Sequence, residues 1–127
     1  MYSHMMVGTD DLDAAKTFYD AIFTAVGAEP GKLHATKPRV TYNHKGGIFI
    51  VTKPVDGNPA TFANGGTIGF HMDSPEQADA WHAAGVAAGG TACEDPPGPR
   101  DFDGMGLYLA YLRDPTGNKL CALHPLG

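Results

Sequence analysis

The chain has no cluster of lysines and arginines, no apolar run long enough to cross a bilayer, and only two cysteines among its 127 residues. Each absence excludes something. Nine Lys and Arg against 14 Asp and Glu give a formal net charge of -5, so the attraction exerted by phosphate backbones and anionic membranes is missing. Neither nucleic acid nor a membrane is an expected partner. The opening Met1-Tyr2-Ser3-His4-Met5-Met6-Val7 carries no basic leader with a cleavage site, and a cytoplasmic protein is expected. Cys93 and Cys121 allow one bridge, whereas a small secreted scaffold held by disulfides carries more, so both are read as thiols. With 43% hydrophobic and 18% charged residues, the chain suffices for one core and is too short for two independent ones; a single domain over 1–127 is expected.

What is present is a pattern that occurs twice. Met5, Met6 and Val7 form a short apolar strand, and Asp10-Asp11 offers an N-cap before Leu12, Ala15, Tyr19, Ile22 and Val26, which recur at helical spacing until Gly27. In the second half, Ile68 to Met72 is again a strand. Ser74-Pro75-Glu76-Gln77 then reads as a capping box with proline at the first helical position, and Ala78, Trp81, Gly85 and Ala88 form a buried stripe that ends at Gly89-Gly90. Hairpin material follows each helix. It comprises Arg39 to His44, the turn Lys45-Gly46-Gly47 and Ile48 to Thr52 in the first half, and Leu107 to Arg113, the turn Asp114-Pro115-Thr116-Gly117 and Lys119 to Leu123 in the second.

The predicted organisation is therefore strand-helix-strand-strand-strand twice, with position 67 repeating position 4. Module 1 covers about 1–53, a Gly/Pro/Asn-rich linker about 54–66, and module 2 about 67–127. A ferredoxin-like α+β sandwich fits the first half nearly as well.

The second half resembles the glyoxalase / bleomycin-resistance / extradiol-dioxygenase (vicinal oxygen chelate) superfamily from Gly66 to Leu123. The features that carry the resemblance are Ala87-Ala88-Gly89-Gly90, Pro97-Gly98-Pro99-Arg100 and Arg113-Asp114-Pro115-Thr116-Gly117-Asn118-Lys119, in that order and spacing. Ser3-His4 and Phe18-Tyr19-Asp20 extend it into the first half. The resemblance implies an α+β fold in which tandem βαβββ modules form a curved mixed sheet cup. It also implies a divalent metal (Zn, Ni, Mn or Fe) held by one residue from each of four strands, binding two neighbouring substrate oxygens and stabilising the charge that develops on them.

The implied ligand positions are only partly kept. His4 stands at the first. Its counterpart in the second half is Thr67, where the family often has His, and neutral hydroxyls are poor ligands for zinc or iron. The family glutamate four residues after Gly117 is Cys121, a thiol that binds zinc only as thiolate. The fourth position falls near Phe49 or Ile50, which coordinate nothing. With His4 and Cys121 alone, no tightly bound cofactor is expected. His71 shares a strand face with Thr67 and Gly69, and is either a displaced ligand or a hydrogen-bonding group for substrate.

The same alternation sets Met6 with His4 and Leu109 with Tyr111 as cup-lining candidates. The resemblance implies a substrate contact for Tyr111, since fosfomycin-resistance relatives carry a tyrosine at its spacing from Cys121. Arg100, in a loop from Asp95 to Gly106, is a candidate for an anionic substrate group or else a solvated arginine. His34, His44, His82 and His124 read as surface or rim residues and Trp81 as core. The expected function is that of a glyoxalase/bleomycin-resistance-like protein, a homodimer by analogy, binding a small organic molecule in the cup with a degenerate metal site. The alternative is a metal-dependent lyase, isomerase, thiol transferase or dioxygenase using His4, Cys121 and His71.

Overall fold

The computed structural model describes residues 1–127 and orders nine strands and two helices, numbered along the chain. In module 1, strand β1 (Met5–Gly8) leads into helix α1 (Leu12–Thr24), and β2 (Lys32–Leu33), β3 (Arg39–His44) and β4 (Gly47–Thr52) come next. In module 2, β5 (Ile68–His71) leads into helix α2 (Pro75–Ala87), and then β6 (Thr91–Ala92), β7 (Gly98–Phe102), β8 (Met105–Arg113) and β9 (Lys119–Pro125). The first sheet runs β1-β4-β3-β2, and the second β5-β9-β8-β6 with β7 also paired to β8. In each, the strand before the helix lies parallel to the last strand of the module, and the hairpins are antiparallel. This is the repeated βαβββ arrangement predicted from the sequence, with one further strand, β7, added in module 2, and no helix is long and apolar enough to cross a membrane.

Local chemistry sets the boundaries. The Asp11 carboxylate accepts the Ala14 N–H and caps α1, and the Ser74 hydroxyl accepts the Gln77 N–H at the start of α2. The Gln77 side chain bonds the Asp73 N–H, one residue earlier than a capping box prescribes. Between β3 and β4, Lys45 and Gly46 both take positive φ, as a two-residue hairpin turn requires. The segment from Asp95 to Gly106, expected to be a loop, holds a strand instead. Asp103 and Gly104, at φ 53° and 83°, form a second turn of the same kind, and β7 pairs with the extended start of β8 from Phe102↔Met105 to Gly98↔Leu109.

Both helices lie against one face of the sheets and against each other, and one buried cluster joins the modules. It contains Phe18, Tyr19, Ile22 and Phe23 from α1, Trp81 from α2, Val40, Tyr42, Phe49 and Val51 from module 1, and Leu112 and Leu120 from module 2. Gly85 permits the close helix approach. A Cβ there would stand 2.3 Å from Leu112 Cδ1 and 3.0 Å from Ile22 Cγ2.

A polar weld reinforces the apolar contact. Buried Asp114 accepts three backbone N–H bonds at Oδ1, from Thr116, Gly117 and Asn118, each 2.9 Å long. Its Oδ2 accepts the Tyr19 hydroxyl at 2.6 Å and the Asn118 amide at 2.8 Å. That same amide also donates to the Gly8 carbonyl at 3.1 Å, and the Thr116 hydroxyl donates to Thr9 Oγ1 at 3.1 Å. Burial, and then the neighbouring Asp114 carboxylate, push the Tyr19 phenol well above its ordinary pKa, so it stays protonated and donating.

Removing this carboxylate strands several buried donors at once, at about 1–3 kcal/mol for each group left unpaired. Asp114→Ala is therefore expected to lose roughly 3 kcal/mol or more of stability, and Tyr19→Phe about 1 kcal/mol, in urea denaturation. Equal midpoints for the two variants would show that the backbone bonds to Asp114 contribute nothing.

Candidate functional site

Strand register assigns each candidate residue to a face. In module 1, Phe49 and Val51 of β4 and Val40 and Tyr42 of β3 join the core, so the alternate residues Ile48 and Ile50 look away from the helices. Met6 pairs with Ile50 and shares this helix-free face, and His4 continues the alternation. In module 2 the core takes Leu120 and Ala122 from β9 and Ala110 and Leu112 from β8. The opposite face carries Cys121 and Leu123, paired with Tyr111 and Leu109, and Gly69 and His71, which pair with Cys121 and Leu123. Thr67 continues that row, and Arg100 on β7 sits opposite Leu107.

All eight candidates thus lie on the two helix-free faces, but one chain does not bring them together. The two sheets share no hydrogen bonds, and their edges β1 and β5 are unpaired. His4 and Met6 stand on one sheet, and Thr67, His71, Leu109, Tyr111, Cys121 and Arg100 on the other. The cup implied by the resemblance is not closed within a single chain, because the modules associate through their helices instead.

The individual environments differ in chemistry. His4 is exposed and shares a 2.8 Å hydrogen bond between Nδ1 and the Ser3 hydroxyl. His71 is exposed, with Nε2 at 3.9 Å from Asp73 Oδ1 and its ring centroid 6.5 Å from that of His124. Arg100 commits its guanidinium to its own hairpin, donating to the carbonyls of Asp95, Pro96, Gly98 and Pro99. That geometry fixes the β7 arm. Cys121 is a free, buried thiol whose pKa is raised, chiefly by burial and further by Glu94, against an opposing contribution from the Tyr111 hydroxyl. Tyr111 is raised as well, by burial first and then by Cys121, while the Lys119 ammonium lies 5.0 Å over its ring. Lys119 also pairs with Glu94.

These donors do not fit a divalent metal. No three His, Cys, Asp or Glu side chains of the chain converge on a common point. Ile50 offers no lone pair, Thr67 offers a neutral hydroxyl, and the low-dielectric setting of Cys121 favours thiol over the thiolate that zinc requires.

The structure also contains a cavity of about 320 Å³ where the modules meet, in which His71 is the only residue anticipated as functional. Its walls are Met5, Phe23, Tyr42, Phe49, Phe70 and Trp81, with His44, Lys45, Gly69 and His71 among the polar and open positions. The sequence did carry a signal for it, since Phe23 on α1, Tyr42 on β3, Phe49 on β4 and Phe70 on β5 are all aromatic at core-facing positions.

Comparison with known proteins agrees with this architecture. The sequence model described as "Glyoxalase/Bleomycin resistance protein/Dioxygenase superfamily" matches residues 2–122. The chain is 55% identical to a glyoxalase/bleomycin resistance protein from Albidiferax ferrireducens T118, with 98% of each chain covered and a TM-score of 0.92. It is similar in fold to a lactoylglutathione lyase from Agrobacterium tumefaciens at 22% identity, covering 98% of this chain and 92% of that one with a TM-score of 0.66. A putative glyoxalase from Bacillus halodurans, 19% identical, aligns over 98% and 96% of the two chains with a TM-score of 0.76. No functionally curated protein matches.

The two thiols give a direct check on the electrostatics. In the native protein at pH 7.5, iodoacetamide is expected to modify half-buried Cys93 first and Cys121 more slowly, since Cys121 is buried and its raised pKa lowers its thiolate fraction. The gap should narrow as the pH rises and the Cys121 thiol ionises. Equal rates by mass spectrometry at pH 7.5 would mean that Cys121 is a ready thiolate and restore it as a metal donor.

Proposed function

Because the chain belongs to the glyoxalase/bleomycin resistance protein/dioxygenase superfamily, we propose that it binds a small organic molecule between two helix-free sheet faces, module 1 of one copy facing module 2 of a second. The 127 residues act as one domain, and the working unit is a homodimer. The observation that carries this reading is the composition of the module 2 face. Leu107, Leu109 and Leu123 supply apolar wall, Tyr111, Thr67 and His71 supply a few polar groups, and no set of metal donors accompanies them. A mostly apolar surface with sparse orienting groups suits ligand capture. Module 1 contributes Met6 from the edge strand β1 and Ile48 from its neighbour β4, each about two-fifths exposed at 42% and 40%, on the face that a second copy would cover. Arg100 enters this reading as the residue that stiffens the β7 arm beside the face.

A second reading, a metal-assisted lyase, isomerase, thiol transferase or dioxygenase, is favoured by His4 alone. Its Nδ1 is held by Ser3, and Nε2 has no protein partner, which is how a ligand histidine is oriented by a neighbour. In this reading Cys121 and His71 complete the donors across the two copies.

Elemental analysis of tag-free, chelator-free protein separates the two. Capture without metal predicts less than stoichiometric Zn, Ni, Mn or Fe, unchanged in His4→Ala; near-stoichiometric metal that disappears in the variant would establish the second reading. Sedimentation should give a particle of twice the 13.4 kDa chain mass, and a monomer would remove the shared cup from either reading.

A further inference from the structure

The cavity between the modules is walled by the helix-side residues Phe23, Tyr42, Phe49, Phe70 and Trp81, and of the residues assigned to the sheet-face cup only Ile48 and His71 reach it, with Gly69 between the two sites. Its volume of about 320 Å³ is roughly twice that of an engineered apolar cavity that takes up benzene, about 150 Å³. Four of its walls already meet as aromatic partners. Phe70 contacts Phe23, Phe49 and Trp81 at centroid distances of 5.3, 5.5 and 6.3 Å, the first two edge-to-face. A flat ring extends such an arrangement better than an alkyl chain does.

One polar feature distinguishes this space from a void in the core. Trp81 is wholly buried and lines the cavity, yet its Nε1–H meets no acceptor in the protein. Buried N–H groups are nearly always paired. The other aromatic donor in the lining, the Tyr42 hydroxyl, is taken by Asp20 Oδ1 at 2.8 Å. At the rim, the Lys45 ammonium is matched by Asp73 at 2.8 Å, so the opening offers an ionised ligand little net charge. We propose that this cavity is a second ligand site, for a small neutral aromatic compound bearing an oxygen acceptor. The ring stands among Phe49, Phe70 and Trp81, and the oxygen accepts the Trp81 Nε1–H.

Trp81 is the only tryptophan, so the protein gives a single indole N–H signal in a ¹H–¹⁵N spectrum. Titration of the full-length protein with acetophenone should move that proton downfield and saturate. Toluene, of similar shape with no acceptor, should bind about fivefold more weakly and leave the downfield shift absent, the factor expected for one net hydrogen bond. Gly69 lines the cavity and is exposed, and a Cβ there meets nothing within 4 Å, so a side chain can start there without a clash and Gly69→Leu should weaken acetophenone binding at least about fivefold. Ile48→Phe, at an exposed position of the same rim, is the parallel variant if Gly69→Leu does not fold. The proposal is overturned by the absence of a saturable indole shift, which would mean that water or a second copy fills the space. It is equally overturned by an identical shift with toluene, or by rim variants that bind as the parent does.

Discussion

The carboxylate of Asp114 holds the molecule's two halves in one register. Three of its bonds shape the turn between β8 and β9, and a fourth reaches Tyr19 on the helix of the other module. Asn118 and Thr116 extend the same turn to Gly8 and Thr9 at the end of β1. A buried charge is tolerated only when every lone pair is used, and here backbone, phenol and amide donors use them. The turn is therefore more than a connection within module 2. It fixes where α1 and β1 stand, and so where the helix-side core can close.

That geometry gives the two faces of each sheet different work. Joining the modules through their helices merges two small apolar faces into one core, with Gly85 admitting the closest contact. The cost is that the other faces and the edges β1 and β5 stay open within the chain. Open edges present unpaired backbone groups to which a further strand can add. The same junction leaves the aromatic cavity, because flat rings from four elements meet edge-to-face and cannot fill the space between two twisted sheets.

Most of this architecture was legible in the sequence, for local reasons. Asp11 and Ser74 cap the helices they precede, and the strands after Lys45-Gly46 and Asp114 to Gly117 begin where turn chemistry places them. The alternation of β5 correctly groups Gly69 and His71 on one face, with Cys121 and Leu123 beside them. The strand β7 escaped because Pro96, Pro97, Gly98 and Pro99 read as loop, although Asp103-Gly104 is itself a hairpin signal. Pro99 is tolerated since β7 is an edge strand with a free side. That the cup stays open within one chain was not legible, and the inter-module cavity was legible only in the aromatic residues that line it. Both depend on how one module is set against the other, and no spacing within a module encodes that angle.

The residues that specify this fold and those that would specify metal chemistry are different residues, which is why one set can be intact while the other is depleted. Asp114, Asn118, Tyr19, Gly85 and the capping groups all act on the helix side or in the turns. His4, Thr67, Cys121 and Ile50 stand on the opposite face, outside the core cluster and the weld. Thr67 and Ile50 take no part in the core cluster or the weld, and Cys121 is buried beside Tyr111. The family's architecture is thus preserved by constraints that say little about what its sheet face holds. In this chain that face carries Leu109, Tyr111, Cys121 and Leu123 beside His71, none of which the core or the weld requires.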